Sequence, residues 1–355
     1  MFVNSKKIAN IIEEIAPLNT ALQWDNVGFQ IGNENVEINR IMIALEVTDE
    51  VLNEAISNNI DLIITHHPLI FKSIYSVVTD NPIQKLIIRM IKNNINLYVA
   101  HTNIDVSKNG TNYYLSKLLD LNRVEGLDTI MVSQLYKISV FAPENAYELV
   151  KQSLLKYNVG EYKNRGRLAS VSNSDKSENN EEVKIEMIID NENLNLAIEN
   201  MLRVHPYDVV PYDVIKLENI SKKHSIGVIG YLEKDMEIDE LVNFVKEKFE
   251  INKLRFVKSN NKRNRKIAIC SGAGSEYIEK ASKLGCKCLI TGDVKYHEAQ
   301  LARQLNINVI DAGHFETENI YVQYLAEFIK RRCYEKGYDV NIMESENIIN
   351  PFEYK

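Results

Sequence analysis

The chain has 355 residues, a formal net charge of −7 and 45 % hydrophobic residues. A length of this order favours two domains, and the hydrophobic fraction is sufficient for a sizeable core. The negative charge disfavours a general nucleic-acid binder. The four cysteines form no C-x-x-C motif, which disfavours a zinc ribbon and favours buried thiols in a reducing compartment.

The N-terminal segment predicts an amphipathic helix over residues 5–16, with isoleucines on one face. It lacks the apolar region and cleavage site of a signal peptide. No apolar stretch reaches the ~20 residues that a membrane-spanning helix needs. We therefore expect a cytoplasmic protein without a membrane partner.

Strands and helices then alternate along the first third of the chain. The pattern predicts strands at Arg40–Leu45, Leu62–Thr65 and Leu97–Ala100, and helices at Asp49–Asn58, Pro82–Asn93 and Gly110–Leu119. Such alternation is typical of a mostly parallel sheet with helices on its faces.

The rhythm changes between residues 126 and 221, where the order becomes β-α-β-β-α-β. The predicted elements are Ile138–Phe141, Asn145–Tyr157, a strand containing Gly and Arg, Val183–Ile189, Leu194–Arg203 and Tyr212–Leu217. This order is the ferredoxin-like pattern. The polar run Ser172–Glu182 is most simply a mobile hairpin loop.

The α/β rhythm returns from residue 222. Helices are predicted at Asp239–Phe249, Glu276–Leu284, His297–Leu305 and Asn319–Arg332, and strands at Lys266–Cys270, Leu289–Thr291 and Ile307–Ile310. The sequence thus predicts an α/β core formed by residues 1–125 and 222–355, interrupted by an α+β insert formed by residues 126–221.

Histidines and carboxylates follow three of the predicted strands. His66 and His67 follow the first, Asp105 the second, and His314 and Glu318 the third. Ligands of parallel sheets bind beyond the carboxyl ends of the strands, so these side chains are expected at one site. Imidazoles and carboxylates suit zinc, manganese or iron. Adjacent histidines can face different ions, and Glu318 is the predicted bridge between two ions ~3.5–4 Å apart.

Two further histidines, His101 and His297, lie in the same predicted loops and are candidate catalytic residues. Each could support a metal ligand, carry protons or simply pack in the core. His224 is predicted at the surface, and His205 in a turn after a helix of the insert. The segment Ser271-Gly-Ala-Gly-Ser275 fits either a phosphate-binding loop or a tight turn between strand and helix.

Several motifs together resemble one family. They are Trp24-Asp-Asn-Val-Gly28, Thr65-His-His-Pro68, His101-Thr-Asn-Ile-Asp105, His205-Pro-Tyr-Asp208, Gly292-Asp-Val-Lys-Tyr-His297 and Asp311-Ala-Gly-His-Phe-Glu-Thr-Glu318. The chain resembles the GTP cyclohydrolase I type 2 homologues, also called Nif-three-like dinuclear metal-centre proteins. The resemblance covers residues 24–318.

The resemblance implies a layered α/β core with a PII-like insert, and a toroidal homohexamer with two divalent metal ions per subunit. It implies that His66 and His314 share one ion, that His67 and Asp105 share the other, and that Glu318 touches both. The insert departs from the family pattern, because Arg167–Asp175 replaces a Cys-x-Phe and a Gly-rich stretch.

Two functions fit this sequence. The first is a metal-dependent hydrolase that acts on a nucleotide or phosphoester through metal-activated water, and the family name suggests GTP. The alternative is a non-catalytic metal-binding regulator or scaffold, because a fold alone does not fix a function.

Overall fold

The structure is a computed structural model that describes residues 3–155, 157 and 182–353. The chain forms two compact units, a core of Met1–Asp128 and Ser225–Lys355 and an insert of Thr129–His224. The observed boundaries, after residues 128 and 224, lie three residues beyond the predicted ones, after residues 125 and 221.

The first sheet of the core has the strand order β1-β4-β3-β2-β12, and all neighbours are parallel except β1 and β4. Its strands are β1 (Gly28–Ile31), β2 (Arg40–Ala44), β3 (Leu62–Thr65), β4 (Asn96–Val99) and β12 (Asn341–Glu344). The helices in this part of the chain are α1 (Ser5–Glu13), α2 (Asp49–Ser57), α3 (Pro82–Lys92), α4 (Thr102–Asp105) and α5 (Thr111–Leu118).

Both faces of this sheet are buried, as the continuous apolar strands predict. Ile41 and Ile43 of β2 pack in one hydrophobic cluster, with residues of α1, whereas Met42 and Ala44 pack in another, with residues of α2 and α3. Helices α1, α2 and α3 begin after residues whose side chains cap them. Thr48 accepts a hydrogen bond from the amide of Val51 at the start of α2.

The second sheet has, within the core, the strand order β7-β9-β10-β11-β8. Strands β9, β10 and β11 are parallel, and β7 and β8 run antiparallel to their neighbours. The elements are β7 (Tyr212–Met236), α8 (Ile238–Lys248), β8 (Arg255–Val257), β9 (Asn264–Ile269), α9 (Ile278–Lys283), β10 (Cys288–Thr291), α10 (Tyr296–Gln304), β11 (Asn308–Asp311) and α11 (His314–Glu335).

The insert contains parts of β5 (Asn122–Pro143) and β7, together with α6 (Tyr147–Leu155), β6 (Glu182–Asp190) and α7 (Leu194–Val204). Strand β5 lies between β6 and β7, and the two helices pack on the sheet through a cluster that includes Val150, Leu154, Ala197 and Met201. The strand predicted after α6 and the hairpin loop up to residue 181 lie outside the described residues, so the PII-like comparison remains a prediction.

The prediction of a layered α/β protein with a mostly parallel or mixed sheet is confirmed, but the bounds and number of elements differ. Strands β1, β8 and β12 were not predicted, and β1 and β8 pair antiparallel at sheet edges. These strands are short and contain few consecutive apolar residues, so they give little periodic signal. Strands β5 and β7 are far longer than predicted, and α11 begins at His314 rather than Asn319.

Candidate metal centre

The strand ends of the first sheet bring four of the predicted side chains together. His66 and His67 follow β3 directly, and His101 and α4, which carries Asp105, follow its neighbour β4. The second sheet leads into α11, whose first residue is His314. Glu318 lies one turn further along the same helix and therefore on the same face.

The Glu318 carboxylate lies among three imidazoles. Its Oε2 atom is 2.8 Å from His67 Nε2 and 3.1 Å from His314 Nε2, and its Oε1 atom is 3.6 Å from His66 Nε2. The Glu318 side chain is only 6 % exposed. Each carboxylate oxygen thus faces a different part of the cluster.

The cluster has an inner side, formed by His66, His101 and Asp105, and an outer side, formed by His67 and His314. On the inner side, His66 Nε2 is 3.7 Å from Asp105 Oδ2, and the rings of His66 and His101 are 5.1 Å apart. Two groups of side chains could each hold a metal ion, because the potential ligand atoms within each group all lie within 4.8 Å of one another. The first group is His66, His67 and His101, and the second is His67, His314 and Glu318.

Each of the four histidines of the cluster has an oxygen atom near its Nδ1 atom, and this contact orients the ring. The partners are Ala100 O for His66 at 3.1 Å, Glu46 Oε2 for His67 at 3.5 Å, Asp25 Oδ1 for His101 at 2.9 Å and Asp293 Oδ2 for His314 at 2.8 Å. A metal-binding histidine commonly donates its other ring N–H to such an acceptor. This pattern assigns the Nε2 atoms as the potential ligands.

The cluster strongly perturbs the protonation of its members. Burial opposes a charged His67, but hydrogen bonds to Glu318 and Glu46 outweigh it and raise the pKa of His67 to about 10. The hydrogen bond to Glu318 is the main cause that raises the pKa of His314 to about 9. Burial opposes ionisation of Glu318 too, yet His66, His314 and His67 hold its pKa well below the usual range. The carboxylates therefore favour the protonated, positively charged forms of His67 and His314.

Two buried atoms of the inner side have the chemistry that a bound cation would satisfy. His66 Nε2 and Asp105 Oδ1 have no hydrogen-bond partner among the residues that the structure describes. An unpaired buried polar atom is costly, and a missing ion is one of its ordinary explanations. The donor set, four imidazoles and two carboxylates without a thiolate, suits zinc, iron or manganese.

Two glycines of the second sheet let its backbone approach the cluster closely. A Cβ atom on Gly272, which has φ +60°, would lie 2.2 Å from Glu318 Oε1, and one on Gly292 would lie 2.5 Å from the His314 backbone nitrogen. The glycine-containing segment after β9 is thus a tight turn. Its amides are used internally, since Gly272 N donates to Thr317 Oγ1 and Gly274 N donates to Thr291 Oγ1, which leaves no support for phosphate binding.

A cavity of about 530 Å³ adjoins the outer side of the cluster. His67, His314 and the two carboxylates that contact them, Glu46 and Asp293, line it at one end. Its other walls include Leu254, Phe315 and Phe352, together with Arg255, whose guanidinium pairs with Asp311. The outer side is therefore accessible to a small molecule.

The remaining histidines lie apart from the cluster. His297 is exposed on α10, with its ring against Tyr296, and belongs to neither set of potential metal ligands. The expectation that His224 is a surface residue was wrong, because it is half-buried in the insert between Ser133 and Glu192. His205 follows α7 and bonds to Phe141 O, which agrees with the predicted turn role.

The resemblance implies that His66 and His314 share one ion and that His67 and Asp105 share the other, and this pairing stays a prediction. In the structure, Asp105 lies beside His66, and the ring centroids of His67 and His314 are 5.5 Å apart. His66 Nδ1 donates to Ala100 O, and its Nε2 atom lies 3.7 Å from Asp105 Oδ2 and 3.6 Å from Glu318 Oε1. His67 Nε2 lies 2.8 Å from Glu318 Oε2.

Sequence analysis missed three carboxylates that contact the histidines, Asp25, Glu46 and Asp293. Asp25 lies in the segment Trp24–Gly28, which entered only as part of the resemblance, and Asp293 directly follows the turn at Gly292. No spacing rule connects Asp25 with His101, which is 76 residues away. Only the folded chain shows these contacts.

The chain is similar to proteins of one family. The family model described as Duf34/NIF3 (NGG1p interacting factor 3) matches residues 3–351. A Bacillus subtilis protein named GTP cyclohydrolase 1 type 2 homolog is 32 % identical, with 99 % of each chain covered. The crystal structure of a Bacillus cereus protein related to NIF3 is similar with a TM-score of 0.87 and 33 % identity, covering 100 % of this chain and 99 % of that one. A Staphylococcus aureus crystal structure gives a TM-score of 0.79 at 30 % identity, with 99 % of each chain covered.

Proposed function

Because the chain belongs to the Duf34/NIF3 family, we propose that its cluster binds two divalent metal ions and forms the centre of a hydrolase that acts on a nucleotide or phosphoester. The pair of unpartnered buried atoms, His66 Nε2 and Asp105 Oδ1, carries the metal part of this proposal. The relatives' name, GTP cyclohydrolase 1 type 2 homolog, supports the nucleotide class.

The five residues that would hold the ions are His66, His67, Asp105, His314 and Glu318. Glu318 would touch both ions, because its two oxygens face different imidazoles. His101 stays a candidate proton carrier, because the buried Asp25 carboxylate engages its Nδ1 atom while the ring lies next to His66 and His67.

When bound, a divalent ion lowers the pKa of coordinated water towards neutrality and stabilises developing negative charge. The chain itself supplies the fixed imidazoles and the enclosure. The cavity next to the outer side has a volume within the ~300–1,000 Å³ typical of small-molecule sites. Leu254 and Phe315 give it an apolar wall that would exclude water, and Glu46 and Asp293 are the carboxylates at the end nearest the histidines.

Metal analysis of the purified protein combined with an unbiased screen of nucleotides and phosphoesters tests this function. We expect two ions per chain in the wild type, turnover of at least one substrate class, and loss of both properties in Glu318→Ala. Absence of metal above trace amounts would overturn the proposal. Metal without turnover would favour the non-catalytic binding role.

We also propose that the protein assembles as a homohexamer, that its insert is PII-like, and that it works in the cytoplasm. The family supports the first two. The four buried free cysteines agree with a reducing compartment, and no helix in the described part of the chain is long and apolar enough to cross a membrane. Light scattering tests the assembly, and a monomer at micromolar concentration would exclude the hexamer.

A further inference from the structure

An open pair of aromatic side chains, Trp24 and Phe71, lies beside the metal cluster. Trp24 is the single tryptophan of the chain. The two ring centroids are 5.7 Å apart with an angle of 56° between the ring planes, and the two residues are 58 % and 50 % exposed. Isolated exposed apolar residues are ordinary, whereas adjoining ones next to a functional centre indicate a binding surface.

Hydrogen bonds of neighbouring residues hold the two rings in their relative positions. Ile70, next to Phe71, donates its amide to Gln30 Oε1 at 2.8 Å. The carbonyl oxygen of Ile70 accepts from Asn26 Nδ2 at 2.6 Å. Asn26 and Gln30 belong to the segment that follows Trp24, so one network joins both backbones. A preorganised surface of this kind loses little conformational entropy when a ligand binds.

The same segment connects Trp24 to the metal cluster. Its neighbour Asp25 has a side chain that is 0 % exposed and accepts a hydrogen bond from His101 Nδ1 at 2.9 Å. The rings of Trp24 and His101 meet in an edge arrangement with centroids 6.2 Å apart. The His101 ring lies 5.1 Å from that of His66 and 5.8 Å from that of His67. One imidazole ring thus separates Trp24 from two of the proposed metal ligands.

A nucleotide combines the two kinds of group that this arrangement can bind. Aromatic side chains bind nucleobases by stacking, and divalent ions bind phosphates. One ribose separates the base of a nucleotide from its phosphates, and one imidazole ring separates Trp24 from the ligands. A second protein surface would cover the aromatic rings but would offer the ions no phosphate. The position of the pair therefore favours a nucleotide as its occupant.

We propose that Trp24 and Phe71 bind the base of a nucleotide whose phosphates face the metal ions. This proposal rests on the proposed metal centre and selects the nucleotide from the two substrate classes considered above. Trp24 provides the stacking face, and the tilted Phe71 ring contacts the edge of the base. Neither residue lines the cavity beside His67 and His314, so that cavity is left for the phosphate end of the substrate.

GMP and ribose 5-phosphate test the proposal, because they differ only by the base. Each would be titrated by calorimetry into the full chain loaded with Zn²⁺. We expect GMP to bind roughly 5–100-fold more tightly than ribose 5-phosphate, the range expected for one stacked base. GMP should also quench the tryptophan fluorescence, which comes from Trp24 alone, whereas ribose 5-phosphate should leave it unchanged.

Substitutions of the two rings identify the surface that binds the base. Trp24→Ala should bind GMP about as weakly as ribose 5-phosphate, whereas Trp24→Phe retains an aromatic face and should keep most of the affinity. Phe71→Leu keeps apolar bulk without an aromatic face and provides a second loss if thermal unfolding shows that Trp24→Ala is not folded. Tyr334→Ala removes an 86 % exposed ring near the end of α11 and should bind GMP like the wild type.

Metal analysis and light scattering separate the remaining outcomes. Equal affinities for GMP and ribose 5-phosphate, or unchanged GMP affinity in Trp24→Ala, would overturn base binding while leaving the metal centre intact. A changed assembly size in Trp24→Ala with unchanged GMP affinity would assign the pair to a contact between copies instead. A wild type without metal would overturn the proposed centre and this proposal with it. A loss of GMP affinity confined to the variants of the pair, with two ions per chain retained, would establish the role.

Discussion

Strand β3 of the first sheet and strand β10 of the second sheet end in a similar run of residues, but different residues follow the two strands. Strand β3 ends in Leu-Ile-Ile-Thr65 and β10 in Cys-Leu-Ile-Thr291. After β3 come His66 and His67, whereas after β10 come a glycine and Asp293. The first sheet thus contributes ligand side chains, and the second contributes close backbone at Gly272 and Gly292 beside helix α11.

This difference shows how one site arises from two similar halves. The start of helix α11 needs room beside the second sheet, and the glycines after β9 and β10 provide it, since a Cβ atom at Gly272 or Gly292 would meet Glu318 or His314. Helix α11 then delivers His314 and Glu318 into that space. The similar strand ends determine where the site lies, and their different residues determine what each half contributes.

The largest effect should follow from Glu318→Gln. This substitution removes the negative charge that helix α11 places beside His66 and His67. The amide keeps the shape but cannot bridge two cations. We expect loss of both ions, exceeding the ~10–100-fold affinity change caused by losing only a supporting hydrogen bond. Metal content after dialysis measures it. Glu327→Gln on the exposed face of α11 should retain both ions, and a Glu318→Gln protein with full metal content would contradict the proposed bridge.

The next largest effect should follow from Gly272→Ala, because the added methyl group would fill the space beside the Glu318 carboxylate. The new Cβ would lie 2.2 Å from Glu318 Oε1, so the carboxylate must move. We expect metal affinity to fall about tenfold or more, because ångström-scale misplacement of a functional group is costly.

Gly285→Ala is the matched control. It also has positive φ, +78°, but nothing lies within 4 Å of its Cβ. It should lose about 1–2 kcal/mol of stability from backbone strain and no metal affinity. Equal metal binding by both variants would argue against the steric role of Gly272.

A smaller effect on folding should distinguish the two equivalent threonines. Thr291 Oγ1 accepts from the amide of Gly274 and is buried, whereas Thr65 Oγ1 donates to His67 O. Thr65→Val removes one hydrogen bond, worth about 0.5–1.5 kcal/mol. Thr291→Val removes two, because Thr291 Oγ1 also donates to Gly272 O at 3.3 Å, and it weakens the bonding of the buried Gly274 amide. Urea unfolding of the stripped proteins should therefore show Thr291→Val as the less stable variant. The opposite order would mean that the turn after β10 does not depend on this contact.

The smallest effect should follow from Asp293→Asn, at the half-exposed contact of His314. Asparagine tolerates the positive φ of this residue, +55°, so the backbone should be unaffected. We expect the affinity for one ion to fall by about tenfold or less, at the lower end for such partners. Zn²⁺ titration measures it, with Asp339→Asn at the surface as the control. A loss greater than tenfold would contradict the small contribution expected of this half-exposed contact.

The residues of the cluster could be predicted because each lies at or shortly after the end of an apolar run. His66 and His67 end one such run, and parallel strands place their carboxyl ends at one edge of a sheet. Strands β1 and β8 could not be predicted, because edge strands are short and their pairing depends on the neighbouring strand. The start of α11 at His314 was also missed, because Gly313 and the polar residues after it resemble a loop.

The sequence by itself determined the class of fold, the places where strands end, and the histidines and carboxylates at those ends. These properties depend on local patterns of apolar and polar residues, which are visible along the chain. Only the tertiary structure decided which histidine lies beside which carboxylate, and that Asp25, 76 residues from His101, supports it. Such contacts depend on how separate loops pack against each other, and the order of residues does not specify those distances.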